Sequence, residues 1–249
     1  MQITGLTNQG LERTRNEDSC FVQAENDIAM MVVADGMGGH LAGNVASALA
    51  VNIAEQLWEE LDRTKLPSVR EARNLISRLI NEANSLILSE AGNSSAHRGM
   101  GTTLTAGLLC SNRLTIGHVG DSRAYQIKGG EIKLLTKDHS LLEQLIESGQ
   151  VDPDDAFNHP QRHILTRALG ISADLELDII ELELEKGSML LFCTDGLTNL
   201  VRDDEILAIC SEHHDSRLMA EALVDLANAR GGLDNITVVL VTEIGGQKD

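Results

Sequence analysis

The pattern of apolar and polar positions along the chain predicts strands and helices in an uneven order. Apolar runs, several of them bounded by Gly or Asp, are typical of strands. They occupy residues 28–34, 103–110, 114–119, 124–128, 131–135, 175–184, 189–193 and 236–242. Apolar residues that recur at three- and four-residue spacing indicate helices. These helical patterns cover residues 42–61, 69–90, 140–148, 203–211 and 216–229.

The order of these elements predicts the fold class. Two long helices come together, four strands follow with no helix between them, and helices then return. A parallel sheet needs a crossover element between its strands, so these strands are expected to pair antiparallel. Gly129-Gly130 separates two of the runs and predicts a two-residue hairpin. We therefore predict an α+β fold with antiparallel sheets and helices segregated outside them.

Length and charge narrow the function classes. The 249 residues suit one domain, and the formal net charge of −18 disfavours binding to nucleic acid or to an anionic membrane. The longest strongly apolar run, residues 28–34, is far shorter than a membrane span, and the N-terminal segment lacks a signal-like apolar region. The four cysteines are widely spaced and are expected to be buried thiols. We expect a cytoplasmic monomer.

Four aspartates lie at the ends of predicted strands. Asp35, Asp121 and Asp195 each follow an apolar run, and Asp234 comes just before one. Taken singly, each is explained by a turn, because Asp and Gly suit turn geometry. If the strand ends converge on one rim of layered sheets, however, four carboxylates would repel each other without a cation or a proton. Oxygen ligands without His or Cys favour Mg²⁺ or Mn²⁺ over zinc.

The glycine-rich stretch after Asp35 offers two further groups. Gly36 has no Cβ, so its carbonyl can approach an ion closely. His40 is either a structural loop histidine or, if Asp35 binds metal, a general acid for a leaving group. A nucleotide-binding loop is disfavoured because the segment lacks the Gly-Lys-Ser/Thr ending of a P-loop.

A charge cluster near the N-terminus has a structural and a functional interpretation. Arg13, Arg15, Glu17 and Asp18 can be a solvated surface group. In the functional interpretation, one arginine clamps a phosphate with its fork of donors, and Glu17 or Asp18 orients waters on a metal. Spacing alone does not choose between Arg13 and Arg15.

Eight segments, taken together, resemble the metal-dependent (PPM, or 2C-type) protein serine/threonine phosphatases in their compact bacterial form. They follow the order of that family and span nearly the whole chain. The segments are GLERTRNEDS, VVADGMGGHLAGNVAS, MGTTLTAG, HVGDSRAY, TKDHSLL, ILTRALG, CTDGLTNLV and GGLDNITVVLV.

The resemblance implies a central β-sandwich of two antiparallel sheets flanked by helices in α/β/β/α layers, with a two-metal centre between the sheets. By their places in the motifs, Asp35 is expected to bridge two Mn²⁺ or Mg²⁺ ions, and Gly36 to bind through its carbonyl. Asp195 and Asp234 are expected to hold one of these ions. Asp121 matches the acid that supports a third, weaker ion.

The same resemblance implies roles for the remaining groups. Arg13, rather than Arg15, matches the phosphate-binding arginine. Asp18 and Glu17 match residues that contact the metals through water, and His40 matches the proposed general acid. Within a single domain spanning residues 1–249, residues 138–170 resemble the flap beside the family's active site.

The predicted activity is hydrolysis of phosphoserine and phosphothreonine in proteins by a metal-activated water. Its substrates would be phosphoproteins, in a pathway that includes a Ser/Thr kinase. One alternative is a non-catalytic phosphoprotein-binding module on the same fold, which would be expected to lose metal-site acids. Another is a metal-dependent phosphodiesterase, which the acidic balance disfavours.

Overall fold

Two antiparallel sheets form the centre of the molecule. The structure is a computed structural model, and it describes residues 1–38 and 42–245. The strands are β1 (Gln2–Asn8), β2 (Asp18–Glu25), β3 (Ile28–Met37), β4 (Gly101–Thr102), β5 (Leu104–Cys110), β6 (Arg113–Val119), β7 (Arg123–Lys128), β8 (Glu131–Leu134), β9 (Asp178–Glu183), β10 (Met189–Cys193) and β11 (Ile236–Thr242). One sheet has the order β1-β11-β10-β7-β8, and the other has the order β2-β3-β5-β6-β9, with β4 beside β3.

Helices cover the outer faces of both sheets. They are α1 (Gly43–Glu60), α2 (Val69–Asn93), α3 (Leu141–Glu147), α4 (Asp195–Thr198), α5 (Asp203–Glu212) and α6 (Ser216–Ala229), and two short 3-10 turns cover Ser95–His97 and Pro153–Asn158. Helix α2 begins with a capping box between Ser68 and Glu71, in which each satisfies a backbone N–H that the helix start leaves free. None of the described helices combines the length and apolar character that a membrane crossing needs.

Three apolar layers hold these elements together. One lies between α1, α2 and the β3 sheet, a second between α4, α5, α6 and the β11 sheet, and the third between the two sheets. Strand β3 contributes to two layers: Met30 and Val32 face the helices, and Met31 and Val33 face the other sheet. Alternate residues of a strand point to opposite faces, so a strand buried on both sides reads as an unbroken apolar run.

The predicted fold class and the hairpin are both confirmed. Lys128 pairs with Glu131 across the two glycines, and every strand pair of the described sheets is antiparallel. The apolar pattern missed β1, β2 and the two-residue β4. The first two are edge strands of their sheets, and their partly exposed residues do not form a long apolar run.

The four cysteines fit the expectation of free thiols. None of them forms a disulfide; Cys110, Cys193 and Cys210 are buried, and Cys20 is partly buried. Burial raises the pKa of the Cys210 thiol to about 12, so that thiol stays protonated and unreactive near neutral pH.

Replacing Phe192 by alanine is expected to lower the free energy of unfolding by about 3–5 kcal/mol, because the ring fills the layer between the sheets. Phe192 is fully buried, and its Cζ would lie 2.6 Å from a Cβ at Gly107 of the facing sheet. Urea unfolding of the variant measures the loss. The control is Leu134→Ala on edge strand β8, where the partly exposed side chain predicts a loss below about 1 kcal/mol. Equal losses in the two variants would contradict this packing.

Candidate active site

The layer between the sheets changes from apolar to polar at one end of the sandwich. Asp35 follows Met31 and Val33 at two-residue spacing, so it lies on the same inward face of β3. Asp18 is its register partner on β2. The sequence therefore continues a hydrophobic layer with carboxylates, and the two sheets enclose them.

Asp18 joins the two sheets by hydrogen bonds. Its Oδ2 accepts from Thr194 Oγ1 at 2.8 Å and from Thr237 Oγ1 at 2.7 Å, and both threonines belong to the opposite sheet or its continuation. Its Oδ1 is buried with no hydrogen-bond partner among the described residues. Burial raises the pKa of Asp18 to about 7, with help from the nearby charges of Asp195 and Asp234 and against the two threonine hydroxyls.

Asp35 lies within its strand rather than at the strand's end. We expected the strand to stop there, but β3 continues to Met37 because β4 pairs with its last residues. Thr103 holds the Asp35 backbone on both sides: its Oγ1 accepts from Asp35 N at 2.9 Å, and its N donates to Asp35 O at 2.9 Å. Burial raises the pKa of Asp35 well above its usual range, and the charges of Asp18 and Asp195 raise it further.

Gly36 occupies a position that no other residue could fill without rearrangement. A Cβ there would lie 2.2 Å from Gly43 O and 2.5 Å from Glu17 O, far inside van der Waals contact. The Glu17 carboxylate approaches the same place, because its Oε2 would lie 2.3 Å from a Cβ on Gly43, and Gly36 O would lie 2.8 Å from it. A backbone carbonyl and a carboxylate oxygen thus border one small region at the start of α1.

Asp195 enters the site as the first residue of α4, two positions beyond the end of β10. Its Oδ2 accepts from Asn199 Nδ2 at 2.8 Å and lies 3.8 Å from His163 Nδ1, while its Oδ1 has no partner in the described part of the chain. Burial by itself would raise the pKa of Asp195. The net pKa is nevertheless lowered, because the polar and charged groups around it, among them His163, Asp35 and Asn199, favour the ionised carboxylate.

Asp234 and Arg13 form an ion pair at the edge of the site. Arg13 Nη2 donates to Asp234 Oδ2 at 2.7 Å, and the Arg13 side chain is 54% exposed. Asn235 joins the loop that carries Arg13, residues 9–17, to the loop that carries Asp234. Its Nδ2 donates to Gln9 O and Arg15 O, and its Oδ1 accepts from Glu17 N, each at 2.8 Å.

Asp121 is buried after β6 and is fixed through its neighbours. Gly120, just before it, exchanges two hydrogen bonds with His139: Gly120 N donates to His139 Nδ1, and His139 N donates to Gly120 O. Ser122, just after it, bonds to the Thr103 hydroxyl at 2.8 Å. Burial raises the pKa of Asp121 well above its usual range, and the charge of Asp195 adds to the shift.

These groups surround one cleft of about 750 Å³. Among the predicted residues, Arg13, Glu17, Asp35, Gly36, Asp121, Asp195 and Asp234 line it. Arg15 does not line this cleft and borders a smaller pocket beside it. Asp18 lies behind Asp35 in the sheet interior. His40 falls outside the described residues, so its predicted role has no structural counterpart here.

Part of the cleft lining comes from residues that sequence reasoning did not single out. Arg162, His163 and Arg167 line the cleft from the segment that we expected to be a flap. The ring of Phe157 in this segment lies under two guanidinium groups, with Arg162 Cζ 5.8 Å and Arg202 Cζ 4.9 Å from its centroid. Such contacts are favourable because the ring face is electron-rich. In the sequence, the features that could have indicated this part of the cleft are the arginine and the two histidines of the HPQRH run, residues 159–163.

Comparison with known proteins identifies the family. The model of the protein phosphatase 2C family matches residues 11–226. The chain is 38% identical over 236 residues to the serine/threonine phosphatase stp of Listeria welshimeri, with 94% of this chain and 93% of that protein covered.

Solved structures agree with this match. The serine/threonine phosphatase PstP/Ppp of Mycobacterium tuberculosis is 36% identical, with a TM-score of 0.87 and coverage of 96% of this chain and 97% of that one. The catalytic domain of the phosphatase PstP in complex with two manganese ions is 33% identical, with a TM-score of 0.84 and 96% of each chain covered. This chain belongs to the protein phosphatase 2C family.

Proposed function

We propose that this protein is a metal-dependent serine/threonine phosphatase that hydrolyses phosphomonoesters of phosphoproteins. The observation that carries the proposal is the set of carboxylates gathered at one end of the sandwich, with Arg13 ion-paired to one of them, Asp234, at the edge of the cleft. Buried like charges are costly unless a cation or a proton compensates them. Family membership adds independent support, because its named relatives are serine/threonine phosphatases.

The donor set fits divalent cations such as Mn²⁺. Asp18 and Asp195 each have a buried carboxylate oxygen with no hydrogen-bond partner among the described residues. Among those residues, no three Asp, Glu, His or Cys side chains are arranged to hold an ion by themselves. Hard cations often take only one or two carboxylates and complete their coordination with carbonyls and water, which suits a cleft lined by aspartates and by Gly36.

We assign Asp35, Gly36, Asp195 and Asp234 as the residues that would hold two ions. Asp35 is the candidate bridging ligand. The charges of Asp18, Asp121, Asp195 and Asp234 all raise its pKa, so it is near each of these carboxylates. Two bound Mn²⁺ or Mg²⁺ ions would supply a water of lowered pKa and positive charge opposite the phosphoryl oxygens.

Three further acids would support this centre. Asp18, held by two threonine hydroxyls, and Glu17, placed by Asn235, would orient solvent in the centre. Asp121 also lines the cleft and is the candidate residue for a third ion.

Arg13 is the candidate phosphate clamp. Its guanidinium offers donors in a fork that matches two phosphoryl oxygens. The side chain is more than half exposed and long, so it can leave Asp234 for a substrate when a cation takes over that carboxylate. His40 remains our candidate for protonating the departing serine or threonine oxygen, since it follows Asp35 by five residues.

The proposal also covers the compartment, the oligomeric state and the substrates. We propose that the protein acts in the cytoplasm as a monomer, on serine and threonine residues that a protein kinase has phosphorylated. Its net charge of −18 disfavours binding to nucleic acid and to anionic lipid.

The non-catalytic alternative is disfavoured because every acid expected of the metal centre is present. The phosphodiesterase alternative would require turnover of a phosphodiester in a direct assay.

Replacing Asp35 by alanine is expected to abolish metal-dependent phosphate release from a phosphothreonine peptide, because the candidate bridging ligand is lost. The wild type should turn over with Mn²⁺ and stop in EDTA. Phosphate release is measured for both proteins under both conditions. Turnover that persists in EDTA or in the variant would mean that the metal centre is misplaced, and a well-folded wild type without turnover would favour the binding-module alternative.

Replacing Arg13 by alanine is expected to lower kcat/KM by about 100-fold or more, since a donor to the charge of the transition state is removed. The matched control is Arg15→Ala, which changes a neighbouring arginine outside the cleft lining and is expected to cost less than about tenfold. Steady-state kinetics on one phosphopeptide compare the two variants. A larger loss in the Arg15 variant would reverse the assignment.

Replacing Asp35 by asparagine is expected to stabilise the metal-free protein above neutral pH, by on the order of 1–3 kcal/mol. The folded state raises the pKa of Asp35, so stability is fully present below the unfolded pKa and is lost as pH rises through the folded one. Asparagine stays neutral and avoids that loss. Thermal unfolding in EDTA measures the gain.

The same scan with Mn²⁺ provides the control for this substitution. The wild type should gain thermal stability with added ion by mass action, and the asparagine variant should gain much less. A variant that is less stable than the wild type in EDTA at high pH would show that Asp35 is not an electrostatic burden on the apo fold.

A further inference from the structure

Two exposed leucines lie against neighbouring glycines beside the cleft. Leu11 is 67% exposed and Leu233 is 55% exposed, and Leu233 lines the cleft. The Leu11 side chain lies against Gly232, with its Cγ 2.9 Å from where a Cβ on that glycine would be. The Leu233 side chain folds back over Gly231, with its Cδ2 3.4 Å from the corresponding point. We call Leu11 and Leu233, on either side of this glycine pair, the apolar ledge.

The backbone beneath the ledge is closely packed. Leu11 N and Glu12 N both donate to Gly232 O, at 2.8 and 3.2 Å. Gly10, with a φ of +75°, allows the approach, because a Cβ there would lie 2.1 Å from Asp234 O. The two leucines therefore stand on a seam between two tightly joined loops. A preformed surface of this kind binds a partner with a small ordering cost.

The ledge is continuous with the catalytic groups. Leu11 is two residues from Arg13, the candidate phosphate clamp, and Leu233 directly precedes Asp234, the acid that pairs with that arginine. A phosphorylated residue bound at Arg13 would place its neighbouring residues within reach of the two leucines, because an extended chain advances about 3.3–3.6 Å per residue.

Two further exposed apolar side chains belong to the surroundings of this cleft. Ile171 lines it, and Ile164 lies between two lining residues of the segment expected to be a flap. The other large apolar residues that are exposed in the described chain do not line the cleft; they are Leu66, Val69, Leu86, Leu134 and Leu218. Neighbouring exposed apolar groups beside a binding cleft are typical of an interaction site.

We propose that the apolar ledge binds an apolar side chain of the phosphoprotein, close in sequence to the phosphorylated residue. This inference rests on the proposed phosphatase function and adds a determinant of its substrate class. Arg13 and the metal centre recognise the phosphate, which is common to all substrates. The ledge selects among them by removing an apolar side chain from water, and a peptide with a polar residue at that place gains nothing from it.

The experiment uses phosphothreonine peptides in which one leucine is moved through about three residues on either side of the phosphothreonine, with asparagine as the reference at each place. The wild type is expected to prefer leucine over asparagine by about tenfold in kcat/KM at one place. The variants Leu11→Asn and Leu233→Asn are expected to reduce this ratio to about twofold or less. Because the ratio compares two peptides on one enzyme, a general loss of activity cancels.

The controls separate this inference from the proposed function. Leu218→Asn removes a leucine of similar exposure, 52%, near the start of α6, where Ser216 bonds to Thr4 at the far end of the β1–β11 pair; its ratio should stay at that of the wild type. Ile171→Asn tests the other exposed apolar residue that lines the cleft. A ratio lost in the Ile171 variant and kept in both ledge variants would overturn the ledge.

Two outcomes for the wild type are also distinct. Turnover of all peptides with no preference for leucine at any place would overturn the ledge and leave the phosphatase function intact. No metal-dependent turnover of any peptide would overturn the proposed function itself, and the ledge with it.

Discussion

The structure depends on one electrostatic constraint, which is that several carboxylates are gathered at the polar end of the sandwich, beside the cleft. Asp18 and Asp35 continue the inward faces of β2 and β3 beyond the apolar layer, and Asp195 approaches from the other sheet. In this setting their charges repel each other more strongly than in water. The fold holds them there through backbone and hydroxyl contacts from Thr103, Thr194 and Thr237. The apolar layers supply the stability that this arrangement costs, and a bound cation would remove much of the repulsion.

The site has one part carried by strands and a helix start and another part carried by loops. The carboxylates are carried by paired strands or by a helix start, where burial limits their motion. The groups that would meet a substrate lie on loops and on the segment expected to be a flap, including Arg13, Arg162 and His163. The proposed phosphate clamp and the proposed metal ligands also share structure, because Asn235 ties the loop of Arg13 to the start of β11. A change in that loop would therefore affect phosphate binding, the metal centre and the apolar ledge together.

Much of the fold could be predicted from local pattern. The long apolar runs gave the central strands with bounds within a few residues, and three- and four-residue spacing gave α1, α2, α5 and α6. These elements are buried on one or both faces, so their sequences carry a strong periodic signal. The edge strands β1 and β2 were missed because they depend on pairing with β11 and β3, residues far away in the chain. Asp35 was expected at a strand end and lies inside the strand, because the short β4 extends the ladder beyond it.

The sequence by itself determined which residue types the site contains: aspartates beside apolar runs, a glycine directly after Asp35, and arginines near the N-terminus. Only the tertiary structure decided which of them meet. It brought Asp18 against two threonines of the other sheet, separated Arg13 from Arg15 by their position relative to the cleft, and added Asn235, His163 and Arg162 to its surroundings. The physical reason is that period and composition report a residue's immediate environment, whereas convergence is set by pairing and packing between segments distant in sequence.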